Sequence, residues 1–383
     1  MMTAHTVEID DPDAAFNEIM RQLGEMDLCA NSVGIITCHY DYVSSGAVKN
    51  LCDAIQFDVV GCTVVGCAVN ARGGVEQLSL TVITSDEIEF SVAMSDIITR
   101  ENVVPTVEKA YADARQKFDC EPSLIFTFGP IMQDVSGSEM LKTLDRISSG
   151  VPVFGTLSSD TSLRYEESYV ICNGDYHIHK LTMILFKGNI KPRFYTTAIA
   201  TQNIHQQSGI VTDSEGYLLR TVNNVTIADY FTTLGIKISD IAAVAAIPFL
   251  LDFRDGTAPV ARSIYHIAPE GVYTGGEIPV GAMITFADID YNSVMITAQA
   301  TLELALEDVA KNGANGIIAI PCLTRAFVIM PNTEDEIKKS MSIVGDKIPF
   351  SLIYSGGELC PVYNQQNKTV NRFHNLTYTL MVF

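Results

Sequence analysis

The sequence predicts a mixed α/β protein of two domains, each a mixed β-sheet flanked by helices. Three observations lead there. At 383 residues the chain exceeds the ~100–200 residues usual for one domain. With 47% hydrophobic and 18% charged residues it can bury a sizeable core, which excludes intrinsic disorder. Its apolar runs switch between strand-like and helix-like spacing with turns between them, the pattern of a layered sheet that is not purely parallel.

The elements follow in order. Asp11 is an N-cap candidate with Pro12 behind it, and Phe16, Ile19, Met20 and Leu23 share one helical face. Residues 1–29 therefore read as an N-terminal helical extension. Ser32–Tyr40 (SVGIITCHY) reads as a buried strand and Ser44–Ile55 as a helix. Val59–Val69 is apolar and glycine-punctuated. Gln77–Thr84 and Ile88–Met94, separated by Ser85-Asp86-Glu87, read as a hairpin. A helix over Val104–Phe118, a strand over Ser123–Phe128 and a helix over Ser138–Ile147 come next. Strands follow at Val151–Gly155, Ser168–Cys172, Lys180–Phe186 and Arg193–Thr201. The polar, turn-rich segment Gln202–Glu215 then separates a domain at 30–205 from one at 215–383.

The second domain opens with a strand at Tyr217–Val222, a helix at Ile227–Leu234 and a helix or buried run at Ile241–Ile247. Further strands are expected at Ser263–Ile267, Met283–Asp288, Gly316–Ile320, Ala326–Met330, Phe350–Tyr354 and Leu376–Phe383. Asn292–Asn312 is the clearest helix, with Leu302, Ala305, Leu306 and Val309 as its core stripe and Gly313 as its stop. No short repeat stands out.

Lys plus Arg number 25 and Asp plus Glu 45, so the net charge is −20. Such a surface repels phosphate backbones and anionic lipid, and neither nucleic acid nor membrane is expected as a partner. The longest apolar run, Ile241–Leu251, has 11 residues, short of the ~18 that a membrane helix needs. The acidic start (Glu8, Asp10, Asp11, Asp13) argues against a secretory leader. Nine scattered cysteines, odd in number and without CxxC, suit a reducing compartment, so a cytoplasmic location is expected. The low charge content leaves room for apolar patches and a homo-oligomer.

The C-terminal block carries the chemistry. Asn315–Arg325 (NGIIAIPCLTR) is a buried strand followed by Cys322 and Arg325. Pro349–Glu358 (PFSLIYSGGE) is another, ending in Gly356-Gly357-Glu358. Phe373-His374-Asn375-Leu376-Thr377 leads into the last strand. Strand ends are where α/β sheets commonly hold ligands. Arg325 could grip a carboxylate or phosphate with two donors and lower the pKa of a nearby thiol, or pair with a structural carboxylate such as Glu358. Gly356 and Gly357 allow close backbone approach, and Glu358 could accept from an ammonium group or cap a turn. His374 could bind metal or haem or act as a base, or hydrogen-bond a loop. Tyr273–Glu277 (YTGGE) echoes Tyr354–Glu358 (YSGGE), which reads as a repeated turn. His177 and His179 share a strand face and read as an exposed hairpin. No G-x-S-x-G, H-E-x-x-H, strand-linked G-x-G-x-x-G or P-loop occurs.

These elements resemble the FIST family, with its strand–Cys–x–x–Arg, Tyr–x–x–Gly–Glu and Phe–His–Asn–x–Thr segments. Val59-Val60-Gly61-Cys62-Thr63, Ser123–Phe128 (SLIFTF), Val153–Thr156 (VFGT) and Tyr217–Gly235 are similar to family segments too, so the resemblance spans about residues 30–380. Two departures stand out. Asn223-Asn224-Val225-Thr226-Ile227 replaces Asp-Gly-x-Pro-Ala, although Asn best replaces Gly at φ > 0. The Val-Gly-Cys-Thr segment continues into Val64-Val65-Gly66-Cys67 here, where the family has Ala-Gly-Glu, so a glutamate that could face a ligand is missing.

The resemblance implies a sensory module, here a stand-alone one. The expectation is a small polar ligand, an amino acid or other carboxylate, in an interdomain cleft lined by Cys322, Arg325, Gly356, Gly357, Glu358 and His374. Arg325 would hold its anionic group and Glu358 its positive one, and a separate signalling protein would read the change. The alternatives are a haem-dependent nitric-oxide sensor using His374 and a hydrolase or transferase using Cys322. No catalytic residue and no metal ligand is assigned.

Overall fold

The computed structural model describes residues 2–6, 12–70, 72–162, 164–236 and 248–383. Three stretches of it fold alike. The first comprises β1 (Met2–Thr6), α1 (Pro12–Gly24), β2 (Asn31–Cys38), α2 (Asp41–Ser44), α3 (Ala47–Ala54) and β3 (Asp58–Thr63). It ends with the hairpin β4 (Gly66–Val69) and β5 (Arg72–Val75), and then β6 (Leu78–Ser85). The second comprises β7 (Glu89–Met94), α4 (Val103–Arg115), β8 (Leu124–Gly129), α5 (Gly137–Ile147) and β9 (Val153–Leu157). Its hairpin is β10 (Val170–Cys172) and β11 (Asp175–His177), and β12 (Thr182–Lys187) closes it.

The third unit starts with β13 (Arg193–Thr197) and is then interrupted by an inserted antiparallel sheet. The insert runs β14 (Ile204–Glu215), β15 (Leu218–Val222), β16 (Val225–Thr226), α6 (Ile227–Thr233), β17 (Phe249–Asp252) and β18 (Val260–Arg262). It ends with β19 (Ile264–Ala268), β20 (Gly271–Thr274) and β21 (Met283–Ala287). The third unit then resumes with α7 (Tyr291–Asn312), β22 (Ile317–Pro321), α8 (Leu323–Val328), α9 (Asp335–Val344) and β23 (Phe350–Ile353). Its hairpin is β24 (Glu358–Tyr363) and β25 (Thr369–His374), and β26 (Tyr378–Val382) ends it.

Each unit supplies four strands of a six-stranded sheet, and the hairpin of another unit completes it. The orders are β1-β6-β2-β3-β10-β11, β7-β12-β8-β9-β24-β25 and β13-β26-β22-β23-β4-β5. In each, the one parallel pair is the unit's own β-α-β crossover. The second strand of that pair would be a bare edge, and the borrowed hairpin covers it. Three equivalent backbone hydrogen bonds start the three exchanges: Thr63 N to Tyr169 O (2.9 Å), Leu157 N to Gly357 O (2.9 Å) and Tyr354 N to Gly66 O (3.0 Å).

Both faces of these sheets are covered. Val33, Phe126, Phe154, Ile318 and Ile353 come from all three units and meet in one central core. The outer faces carry the helices: Ile19 and Leu51 on the first sheet, Val107 and Leu144 on the second, Leu302 and Ile337 on the third. That double cover explains why SVGIITC, LIFTFG and IIAIP are continuously apolar. The insert has its own core around Leu219, Phe249 and Phe286.

The mixed α/β class is as the sequence predicts, but the sheets cross the expected domain boundary, because hairpins are exchanged between units. Residues 1–29 hold an edge strand paired to β6 as well as a helix, with Asp11 outside the described residues. Gln202–Glu215, expected as a linker, contains the 12-residue strand β14, whose polarity reflects an outward-facing side. β6 and β7 lie in different sheets and form no hairpin, since each pairs within its own unit. Ala326–Met330, expected as a strand, falls largely in helix α8; short apolar runs leave the choice open. The helix expected over Ser44–Ile55 breaks at Gly46, which has φ +83°. Ile241–Ile247 lies outside the described residues. Asn223 and Asn224 do take φ of 53° and 64°, forming the two-residue turn between β15 and β16.

The parallel pairs are tight. A Cβ on Gly155 would sit 1.9 Å from Thr127 O, and one on Gly61 1.6 Å from Ile36 O. Gly155→Ala should therefore cost about 1–3 kcal/mol by urea unfolding, whereas Gly24→Ala, with nothing within 4 Å of its Cβ, should change stability by under ~0.5 kcal/mol. Equal midpoints would contradict this packing.

Candidate functional site

The loops that follow β8, β9, β22 and β23 enclose, together with the insert, a cavity of about 230 Å³. Ile131 and Leu157 come from the second unit, Cys322 and Gly356 from the third, and Tyr265 and Gly275 from the insert. Phe373 and Asn375, at the end of β25, form its base, and Ser136, the N-cap of α5, stands at one side. The echoed motifs meet here, since Gly275 and Gly356 both line the cavity. Their partners Gly276 and Gly357 each lie where a Cβ would strike the Phe373 ring, at 3.0 and 2.6 Å. Among the described residues, no side chain lining the cavity is charged.

Two features mark it as more than packing. The Asn375 Oδ1 is buried without a hydrogen-bond partner. Tyr165, which lines the cavity, and Leu376, next to Asn375, hold φ of 61° and 58°. Left-handed backbone at non-glycine residues costs of order 1 kcal/mol or more and concentrates at functional sites. Of the residues named from sequence, Cys322 and Gly356 reach the cavity; Arg325, Gly357, Glu358 and His374 do not line it.

Arg325 is fully buried, and all its donor nitrogens are engaged. Nε and Nη2 reach Glu336 Oε1 at 2.9 and 2.6 Å, Nη2 also reaches Val294 O and Thr297 Oγ1, and Nη1 reaches Leu376 O and Ala198 O. Tyr354 OH donates to the other Glu336 oxygen at 2.8 Å. The expected grip on a ligand anion is thus corrected: the acid is Glu336, eleven residues on, and the pair ties α7, α8 and α9 to the connection between β25 and β26. Removing Arg325 would strand Glu336 in the core at a cost of about 3–5 kcal/mol.

Glu358 is also fully buried, with Oε1 unpartnered and Oε2 accepting from Thr377 N at 3.3 Å. Burial pushes its pKa well above its ordinary value, against the Cys322 thiol and Thr377 N–H beside it, which favours the neutral acid. Sealed in the core and absent from the cavity lining, it is not placed to take a ligand's ammonium, which corrects that expectation. Gly357 donates its N–H to Ser355 Oγ at 2.9 Å and, just before β24, accepts from Leu157 N, so it serves sheet exchange. His374 is buried, hydrogen-bonded through Nε2 to Cys360 O at 2.9 Å, and pushed by burial down to about 3. It offers no open edge to haem and no bond to Cys322. The Cys322 thiol donates to Thr324 Oγ1 at 3.6 Å, and burial pushes its pKa up. Among the described residues no group of three or more His, Cys, Asp or Glu could hold a metal. His177 and His179 stand 6.2 Å apart by ring centroid, the second donating its backbone N–H to the first.

Sequence reasoning passed over Asn375, although it lies inside a quoted motif, and Tyr165, Tyr217 and Tyr265, which carry no local signal. It also passed over Arg262, 1% exposed, which donates to Phe373 O (2.7 Å), Ala261 O and Glu277 O and so fastens the insert to β25. Among the described residues Arg262 makes no ion pair. Outside the cavity, sharing Ser136 and Tyr217 with it, lies a polar groove of about 640 Å³.

Comparison with known proteins adds the following. The FIST N domain matches residues 32–225 and the FIST C domain residues 215–361. Among solved structures, a cyanuric acid hydrolase aligns at 8% identity over 76% of this chain and 100% of its own, with a TM-score of 0.30. A second cyanuric acid hydrolase, from A. caulinodans, aligns at 9% identity over 75% of this chain and 99% of its own, with a TM-score of 0.26. Likeness at that level carries no argument. No curated protein matches the sequence.

The raised pKa of Glu358 sets a pH dependence. Above its ordinary pKa the unfolded chain has released a proton that the folded chain keeps, so stability falls as pH rises. His374 acts below about pH 6.5 and is silent above it. As pH rises above 6.5, wild type should therefore lose stability relative to Glu358→Gln, by at most ~1.4 kcal/mol per pH unit and until Glu358 itself ionises; parallel urea curves would refute the raised pKa. Iodoacetamide at pH 7.5 should label exposed Cys120 quickly and Cys322 slowly, read by peptide mass spectrometry; rapid, pH-dependent labelling of Cys322 would restore it as a nucleophile.

Proposed function

The chain belongs to the FIST family, and from that premise we propose that it senses a small, largely uncharged molecule in the cavity beneath the insert. FIST domains are sensory and signal-transduction modules. The observation that carries the reading is the uncharged cavity with the unpartnered Asn375 oxygen at its base, where segments matched by the N and C domains meet. At about 230 Å³ it is smaller than the ~300–1,000 Å³ of most drug-sized sites, so the ligand is metabolite-sized. A carboxylate placed there would lose its hydration with no cation to replace it, so the free-acid ligand expected from sequence gives way to an uncharged group.

Binding fits better than turnover. Burial raises the pKa of the Cys322 thiol, and His374, the base expected from sequence, is turned to Cys360 O. The ligand would touch the second unit, the third unit and the insert together. Its binding energy therefore acts on how the insert seats on the core, and a separate signalling protein would read that seating. The unpaired thiols suit the cytoplasm, and no helix among the described residues is long and apolar enough to cross a membrane.

A thermal-shift screen of neutral amides, alcohols, amino acids and organic acids tests this. Uncharged hits at about 100 times Kd should add ~2.7 kcal/mol, a shift of several degrees, and Thr324→Trp, which fills the cavity, should abolish it. Hits that stabilise the variant equally, or a hit set made only of organic acids, would sink the reading.

A further inference from the structure

At the mouth of the cavity, three tyrosines of the insert form a triangle. Ring centroids are 6.0 Å apart for Tyr217–Tyr273, 6.4 Å for Tyr265–Tyr273 and 6.5 Å for Tyr217–Tyr265, with interplanar tilts of 41–51°. They stand at the start of β15, in β19 and in β20, which neighbour one another in the insert's sheet. The core of the insert lies elsewhere, around Leu219 and Phe286. None of the three is buried, and Tyr265 is 50% exposed. Cross-strand packing would account for a pair of rings. It does not call for three half-exposed rings at the junction of a cavity, lined by Tyr217 and Tyr265, and a groove, lined by Tyr217 and Tyr273.

The groove's charge says what such a platform would take. It carries Asp134, Glu139, Glu215, Glu270 and Glu277 against Arg100, Lys142 and Arg220. Lys142 pairs with Glu277, and Arg220 with Glu215 at 2.6 Å, so the remaining carboxylates outnumber Arg100. Glu270 accepts from Tyr273 OH at 2.9 Å, which sets a negative charge at the rim of the triangle. A cation resting over the triangle would lie within the ~6 Å cation–π reach of all three rings. A bare ammonium holds its water tightly and favours carboxylates; an alkylated one is poorly hydrated and favours ring faces.

Resting on the cavity reading above, we propose that the ligand carries an alkylated ammonium group, seated on Tyr217, Tyr265 and Tyr273, with its uncharged remainder in the inner cavity. Isothermal titration of the full chain with choline, tetramethylammonium and the neutral isostere 3,3-dimethylbutan-1-ol tests this. Choline should bind, with the isostere about tenfold or more weaker. Tyr265→Leu should weaken choline about five- to tenfold and Tyr265→Phe should retain it, with circular dichroism confirming the fold. Glu270→Gln, at an exposed position, should weaken choline about two- to threefold without altering a ring. Equal binding of choline and isostere, no binding of either ammonium, or unchanged affinity in Tyr265→Leu would overturn the assignment. If uncharged hits still bind wild type and fail on Thr324→Trp while choline gives no heat, the ammonium seat is wrong and the cavity reading stands. If choline binds wild type and Thr324→Trp alike and no uncharged hit appears, the ring platform stands and the cavity reading falls.

Discussion

The exchange of hairpins is the constraint on which the rest of the structure depends. A parallel β-α-β pair leaves its second strand with unsatisfied backbone groups along one side. Each unit solves this with strands from another, so the donor–acceptor relations run in a ring: first to third, third to second, second to first. No unit can complete its own sheet. The central core exists only because three sheets are held face to face, and Val33, Phe126 and Ile318 touch as a result.

That ring also builds the site. Gly356 and Gly357 lie where the third unit hands its hairpin to the second, and Phe373 and Asn375 lie where the hairpin returns. The cavity is thus a by-product of the crossing point, widened by the insert. The buried Arg325–Glu336 pair holds the return path by binding Leu376 O and the first turns of α7. Glycine serves geometry at this crossing, and the polar chemistry comes from neighbours such as Asn375, Tyr165 and Tyr217.

Much of the fold was legible in the sequence. Runs such as Ser123–Phe128 and Gly316–Ile320 are apolar on both faces, and α7 announces itself by its stripe and by Gly313. The family resemblance rested on segments that the structure shows to be equivalent: Val60–Thr63 and Val153–Thr156 are the second strands of successive crossovers, and Phe350–Ile353 is the third. The threefold repetition itself was not legible, because equivalent strands share pairing and only scattered residues, such as Gly61 and Gly155. Pairing partners were not legible either: β6 and β7 are adjacent in sequence and belong to different sheets. At the site, motif chemistry misled where burial decides. An arginine and a glutamate near strand ends look alike in sequence whether they face solvent or the core, and only packing turned Arg325 to Glu336 and sealed Glu358 away from solvent.

The insert interrupts the third unit between β13 and α7, and among the described residues no sheet stands at the corresponding place between β7 and α4 of the second unit. The repeated frame therefore has one roofed corner. If that corner seats a ligand as proposed, the described residues offer one such seat per chain, and a lone chain would then bind along a hyperbolic curve.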